Sequence, residues 1–318
     1  MATRMIIDTD TAGDDVVSLL IGLLHPEARL EAITVCVGNV SFEQEVENAL
    51  YTVERTGRAG QVPVYAGVSK PMVRPWISAD YVHGKDGMGG AHFPKAKQRP
   101  EKEHAANELV RRINEAPGEL TVIAQAPLTN IAAAVTMDPG IALKVKRLYV
   151  MGGTYFAPGN ITPAAEYNFY VDPEAARIVF AAGFPIYMVD WGLCVRDAVF
   201  DDSDLAEIQA LGTDLSDFFV TINRSAYAFN KIVGISGTTH PDSIMCAMAL
   251  GPGIARGWQP CHVDIETQGE LTRAASVIAP IGGAGVEDRF GRTANAMVCT
   301  GADKTRFKAL LMDVLRHH

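Results

Sequence analysis

Residues 5–24 read MIIDTDTAGDDVVSLLIGLL. Met5, Ile6 and Ile7 form a short apolar run without polar alternation, which suits a strand buried on both faces of a parallel sheet. Asp8, Asp10, Asp14 and Asp15 then place four carboxylates within eight positions. The apolar stretch at 16–24, interrupted only by Ser18 and Gly22, has the length of a buried helix and begins just after an acidic N-terminal turn. Strand, acidic turn and helix together make the opening of a βαβ unit, and this decides the fold class.

The same grammar repeats outward. Apolar runs of strand length at 32–37, 62–66, 120–124, 145–150 and 185–189 alternate with helix patterns at 14–24, 41–56, 104–114, 128–137 and 172–181. Residues 41–56 show it well, with Phe42, Val46, Ala49, Leu50 and Val53 on one helical face. The expected architecture is α/β: a mainly parallel open sheet flanked by helices, in the Rossmann-like manner. After residue 197 the pattern turns helical at 203–210, 214–229 and 243–250, followed by Gly-rich β-like material near 268–284. No Pro/Ser linker separates the two parts, so a single domain spanning 1–318 is expected, with a helical cap at roughly 200–255. Gly-rich loops at 83–90 and 151–168 are long enough to carry function.

With 318 residues and 48% hydrophobic content, the chain can bury a large core, and disorder is excluded. Its 37 acidic and 28 basic side chains leave a net charge of −9, which opposes a nucleic-acid polymer or an anionic membrane surface. Five scattered cysteines, Cys36, Cys194, Cys246, Cys261 and Cys299, never form a CxxC pair and read as buried thiols in a reducing compartment. The N-terminus lacks the charged and apolar regions of a secretory signal, and no apolar stretch reaches membrane-spanning length. A cytoplasmic protein is the expectation.

Carboxylates as dense as those at 8–15 repel one another unless a cation neutralises them, and Ca²⁺ or Mg²⁺ prefers such oxygen ligands. Helix capping accounts for one or two of the aspartates, but not for all four. Ligands of open α/β sheets bind beyond the carboxyl ends of the strands. Asn39, Gln125 and Met151 share that address with Asp8 and Asp10, since each follows its own strand. Singly, Asn39 could cap the next helix and Gln125 could offer only its carbonyl. Asn160, Glu166 and Asn168 supply two amides and a carboxylate suited to sugar hydroxyls, or else Asx turns in a solvated loop. Asp242 precedes an apolar helix and is either an N-cap or a further ligand. His83 and His240 are loop histidines able to act as an acid, or polar surface. No Walker A, GxSxG, HExxH or GxGxxG in strand–helix context occurs. Asp8-Thr9-Asp10-Thr11 also resembles the start of haloacid dehalogenase phosphohydrolases, with Asp8 as nucleophile and Asp10 as acid/base. Those enzymes bring their second acidic pair from far downstream, whereas here it adjoins the first.

Taken together, the DTDxxxDD start at 8–15, VGNV at 37–40, HGxDGxGG at 83–90, PLTN at 127–130, MGG at 151–153 and PGNITPAAEYNFYVDPEAA at 158–176 resemble the inosine-uridine preferring nucleoside hydrolases. The resemblance spans nearly the whole chain. It implies hydrolysis of a ribonucleoside, a small-molecule substrate, to ribose and free base, with Ca²⁺ as cofactor and a homodimeric or homotetrameric assembly. It further implies that Asp10, Asp15, Asp242 and the Gln125 carbonyl ligate the metal, and that Asp10 is the general base for a Ca²⁺-bound water. Asp14 and Asn168 would hold the 2′- and 3′-hydroxyls, Asn160 and Glu166 the 5′-hydroxyl, with Asn39 near the sugar or base and Met151 among the substrate contacts. A bound metal and flanking carboxylates suit an oxocarbenium-like transition state.

Departures from the family pattern fall mainly on the leaving-group side. Thr11-Ala12 replaces Pro-Gly, Pro241 stands where a histidine commonly precedes the late aspartate, and 190–194 is atypical. His83, His240 and Tyr227 are the candidates for the proton donor, and Tyr227 and Phe229 for aromatic contacts to the base. A catalytically silent nucleoside- or ribose-binding protein is the alternative these changes permit.

Overall fold

The structure, a computed structural model, describes residues 2–155, 157–282 and 292–316. The strands are β1 (Thr3–Thr9), β2 (Ala28–Val35), β3 (Val64–Ala66), β4 (Thr121–Ala124), β5 (Arg147–Met151), β6 (Ile186–Val189), β7 (Val199–Phe200), β8 (Thr238–Thr239), β9 (Ala255–Ile265), β10 (Ser276–Pro280) and β11 (Ala296–Ala302). Among the described residues, nine of them form one sheet in the order β10-β9-β11-β6-β5-β4-β1-β2-β3. From β3 through β6 to β11 every pairing is parallel, and β9 and β10 add antiparallel pairs at one end. The mainly parallel open sheet expected from the sequence is the one observed.

The sheet is apolar on both faces because helices cover both. One core layer brings Val16, Leu20 and Ile21 of the helix Gly13–Leu24 together with Ile244 and Met248 of the helix Pro241–Leu250. The other packs Leu109, Ile131 and Val179, from three further helices, against Ile6, Val122 and Leu148. Successive strands run outward from β1 in one direction through β2 and β3, and in the other through β4, β5 and β6. The order therefore reverses between β1 and β4, where ligands of such sheets bind. The two strand ends are stitched there by the Gln125 amide, which donates to the Asp8 carbonyl at 2.9 Å.

Three differences from the sequence reading have physical causes. The helix expected over 214–229 is two, Asp214–Ile222 and Arg224–Ile232, hinged at Asn223. Asn223 keeps right-handed backbone angles, but its side-chain amide donates to the Phe219 carbonyl at 2.8 Å and shares that acceptor with its own backbone N–H at 3.3 Å, which weakens the helix ladder there. The helix Pro241–Leu250 packs on Gly13–Leu24 in the core, so it does not belong to a cap laid over the sheet. The β9 and β11 strands and the C-terminal helix Lys304–Arg316 had no counterpart in the expected pattern. Arg256, Gly257, Gln259 and Pro260 break the apolar run of β9, which as a strand near the sheet's end is only partly buried. Of the β-like segment expected near 268–284, β10 forms the centre, and residues 283 and 284 lie outside the described residues. Among the described residues no helix is long and apolar enough to cross a membrane.

Candidate functional site

A cavity of about 320 Å³ opens at the strand switch point. Of the residues singled out from sequence, Asp14, Asn39, His83, Gln125, Met151, Asn160, Glu166, Asn168, Phe229 and Asp242 line it. Asp10 and Asp15 are fully buried and lie behind its wall.

Asp14, Asp15 and Asp242 each offer a carboxylate oxygen within 4.8 Å of the others, an arrangement that could bind a metal ion. Asp14 and Asp15 come from the first turn of Gly13–Leu24, and Asp242 from the first turn of Pro241–Leu250. Both helices present their positive ends to the same carboxylates. Asp10 stands outside this triple, in contrast to the ligand set the resemblance implied, although Asp15 and Asp242 both act on its charge. Asp15 also fulfils part of the capping alternative: its Oδ2 accepts the Ala12 amide at 3.0 Å, and its Oδ1 accepts Thr9 Oγ1 at 2.7 Å and Gln125 Nε2 at 3.0 Å.

Burial is the first reason these carboxyls are hard to ionise. It pushes Asp14 and Asp15 up to about 6, and Asp10 and Asp242 well above the usual carboxylate range. Mutual repulsion adds to it, and Asp14 shares a hydrogen bond with Asp242. One oxygen each of Asp10 and Asp14 is buried without a hydrogen-bond partner. Buried oxygens left bare in a cluster of repelling carboxyls match what a hard divalent cation requires.

The polar wall is held in place by the backbone. Asn39 donates its backbone N–H to Asp10 Oδ2 at 3.0 Å and its side-chain amide to Asp15 Oδ2 at 3.2 Å. Asn168 donates its side-chain amide to the carbonyls of Gln125 and Met151, both at 3.2 Å. Asn160 Oδ1 accepts the Tyr167 amide at 2.8 Å, which leaves its own NH₂ group free to donate. Glu166 accepts the amides of Gly153 at 2.8 Å, Asn168 at 2.7 Å and Phe169 at 3.2 Å. Even so, burial raises its carboxyl to about 7.

A raised folded-state value means that Glu166 takes up its proton more readily in the folded chain. Its contribution to stability is full below its ordinary value near 4.5 and disappears as the pH rises through about 7. In chelator, the wild type is therefore expected to lose up to about 3 kcal/mol between pH 4.5 and 8 from this group. Glu166→Gln should flatten that part of the curve in urea titrations across the range, and an unchanged slope would count against the assignment.

Not every expected residue reaches the cavity. His240 is fully buried, with Nε2 2.7 Å from Thr238 Oγ1 and its ring 4.6 Å and 5.3 Å from the rings of Phe200 and Phe219. Pro241 occupies the first helical position, and His240 just before it turns into the core, so it is not a leaving-group contact. Tyr227 donates to Asp202 Oδ1 at 2.6 Å and stacks under Lys231 on the outer face of its helix, away from the cavity. Asp8 is equally removed: its Oδ1 accepts Thr34 Oγ1 at 2.6 Å and Asn130 Nδ2 at 2.8 Å, inside the sheet. A phosphohydrolase nucleophile would need access that Asp8 lacks.

His83 does reach the site. Its Nδ1 has no hydrogen-bond partner and lies 3.7 Å from Asp14 Oδ1, while burial lowers the imidazole to about 4. The sequence reading passed over Tyr81, Asn223 and Asn230, which also line the cavity, and reached Trp191 only as part of the atypical stretch at 190–194. Tyr81 packs edge-on to Phe229 at 5.5 Å, so the aromatic pair is Tyr81–Phe229 and not Tyr227–Phe229. Tyr81 lies two residues before the HGxDGxGG motif, a proximity that could have flagged it. Asn223 and Asn230 carried no signal beyond their place in a helical pattern.

Residues 5–309 match the family described as inosine-uridine preferring nucleoside hydrolase. The pyrimidine-specific ribonucleoside hydrolase RihA of Shewanella baltica is 36% identical over 327 residues, covering 99% of this chain and 97% of that one. The probable uridine nucleosidase 1 of Oryza sativa is 39% identical over 208 residues, or 65% of this chain and 63% of its own. Among solved structures, the plant nucleoside hydrolase PpNRh1 aligns over 100% of both chains at 28% identity with a TM-score of 0.91. The inosine-guanosine nucleoside hydrolase IG-NH gives 27% identity and a TM-score of 0.90, again over 100% of both. A match across almost the whole chain, on the same sheet and with an acidic cavity at its switch point, makes this chain a member of the inosine-uridine preferring nucleoside hydrolase family, enzymes that hydrolyse N-glycosyl compounds.

Proposed function

We propose that the chain hydrolyses the N-glycosidic bond of a pyrimidine ribonucleoside with Ca²⁺ in its acidic cluster and Asp10 as general base. One observation carries this reading: a triad of carboxylates and the polar groups of Asn39, Asn160, Glu166 and Asn168 converge on one cavity. The pyrimidine preference is supported by two relatives, whose names specify pyrimidine ribonucleosides and uridine.

Asp15 and Asp242, with Asp14 beside them and the Gln125 carbonyl nearby, would hold the cation. When bound, Ca²⁺ supplies positive charge that acidifies a water and anchors vicinal hydroxyls. Asp10 is suited to accept the proton, because the Asn39 amide fixes its Oδ2 while its Oδ1 has no partner. Asp14 and Asn168 bind the 2′- and 3′-hydroxyls, and Asn160 and Glu166 the 5′-hydroxyl. Asn168 keeps a free Oδ1 because its NH₂ group is spent on two carbonyls. The buried carboxylates stabilise positive charge developing on the ribosyl ring.

On the base side, Tyr81, Phe229 and Trp191 offer aromatic faces, and Val233 and Ile235 apolar contacts. His83, at the edge of the ribose site, is the remaining imidazole able to donate a proton to the departing base. With its imidazole lowered to about 4, it is mostly neutral in the unliganded protein at neutral pH, so proton transfer from it would need the charge of the bound complex.

A panel of uridine, cytidine, inosine, guanosine and adenosine, assayed for reducing sugar with and without EGTA, tests the proposal. Uridine or cytidine should give the highest kcat/KM, with turnover lost in EGTA and restored by added Ca²⁺. Faster cleavage of purine nucleosides would refute the base assignment, and turnover undiminished by EGTA would refute the cation.

A further inference from the structure

Glu45 lies in the first half of the helix Phe42–Arg55 and is fully buried, although a carboxyl there faces the charge of Asp15. Its Oε1 accepts the backbone amides of Gly38 and Val40, both at 3.0 Å, while its Oε2 is buried without a hydrogen-bond partner. Those amides precede the helix. Glu45 is thus not capping its own first turn; it grips the turn that joins β2 to the helix.

The amide between them, that of Asn39, points the opposite way and donates to Asp10 Oδ2 at 3.0 Å. Successive N–H groups therefore alternate from Glu45 to Asp10 and back to Glu45. The carbonyl of Gly38 is held as well, by Trp76 Nε1 at 2.6 Å and the Tyr167 hydroxyl at 2.7 Å. Glycine is required at 38, because a Cβ there would overlap the Asp10 carboxylate. So close an approach leaves no slack: movement of residues 38–40 moves the atoms against which Asp10 rests. An apolar side chain at 45 would avoid burying a carboxyl among like charges, but it could not accept the amides of Gly38 and Val40.

We propose that Glu45 is a positioning residue for the hydrolytic site, holding the turn at 38–40 so that Asn39 orients Asp10 through its backbone and Asp15 through its side chain. This rests on the assignment of Asp10 and Asp15 given above. Glu45 places its hydrogen bonds on the turn and not on Asp10 or Asp15, so it positions them through the turn, while its charge also bears on both.

The test compares the full chain with Glu45→Ala and Glu45→Gln by amide hydrogen exchange over residues 36–41 in EGTA, by calorimetric titration with Ca²⁺, and by kcat on the best nucleoside. Gln keeps an Oε1 able to accept both amides but removes the charge, so it separates position from electrostatics. Glu45→Ala should expose the turn to exchange and lower both Ca²⁺ affinity and kcat roughly 10- to 100-fold, the usual cost of losing a group that orients metal ligands. Glu45→Gln should keep protection at 38–40 and recover most of the affinity and kcat. Native protection of the turn in Glu45→Ala overturns the proposal, as does Glu45→Gln as impaired as Glu45→Ala. The exchange measurement needs neither metal nor substrate. If wild-type protein cleaves no nucleoside while exchange still separates Ala from Gln, the hydrolytic assignment fails and the hold of Glu45 on the turn stands.

Discussion

Replacing Asp10 by Asn should lower kcat by about 10²- to 10⁴-fold while leaving the fold intact, the range expected when a general base is removed. Asn is nearly isosteric, and its Oδ1 can still accept the Asn39 amide that now meets Asp10 Oδ2 at 3.0 Å. What it loses is basicity. Burial, together with the charge of Asp15, holds the Asp10 carboxyl well above the ordinary carboxylate range, which makes it a better proton acceptor once a cation offsets the surrounding charge. Substrate binding should change far less, because Asp10 does not line the cavity. Steady-state kinetics with a saturating nucleoside check this: a variant that keeps more than a tenth of wild-type kcat would require another base.

Asp242→Asn carries the other large effect, and its sign reverses with metal. In EGTA, the variant should be more stable than wild type, because it removes a buried carboxyl that repels Asp14 and Asp15. With Ca²⁺ in hundredfold excess over its Kd, the wild type should gain about 2.7 kcal/mol by mass action, and the variant should forfeit most of this gain along with turnover. Calorimetric melting in EGTA and in Ca²⁺ reads both halves. A variant destabilised in EGTA would show that Asp242, which sits inside the first turn and not at the N-cap held by His240, stabilises its helix by its charge there, and one with a wild-type response to Ca²⁺ would remove it from the metal site.

Much of this molecule was legible along the chain. The acidic turn at 8–15, between an apolar strand and an apolar helix, placed a cation-demanding cluster at a strand end, where parallel sheets bind ligands. The order of strands and helices through residue 189 followed from the same apolar periodicity, because elements buried on both faces leave an uninterrupted hydrophobic signature. The strand β9 escaped because only part of it is buried, and a half-exposed strand tolerates Gly, Pro and charge.

Within the site, the sequence determined which residue types were available and which strand ends brought them near one another. Directions in space were decided by tertiary packing. Pro241 begins a helix, and His240 behind it stacks between Phe200 and Phe219 in place of facing substrate. Within the helix Arg224–Ile232, Phe229 meets Tyr81, while Tyr227, two positions earlier and so on the other face, bonds Asp202. Glu45 reads along the chain as one more charge in a helix, yet three-dimensional contact carries it beneath the turn on which Asp10 rests. Periodicity tells which face of an element is apolar, whereas the aim of a single polar side chain depends on partners distant in sequence, and those exist only once the chain has folded.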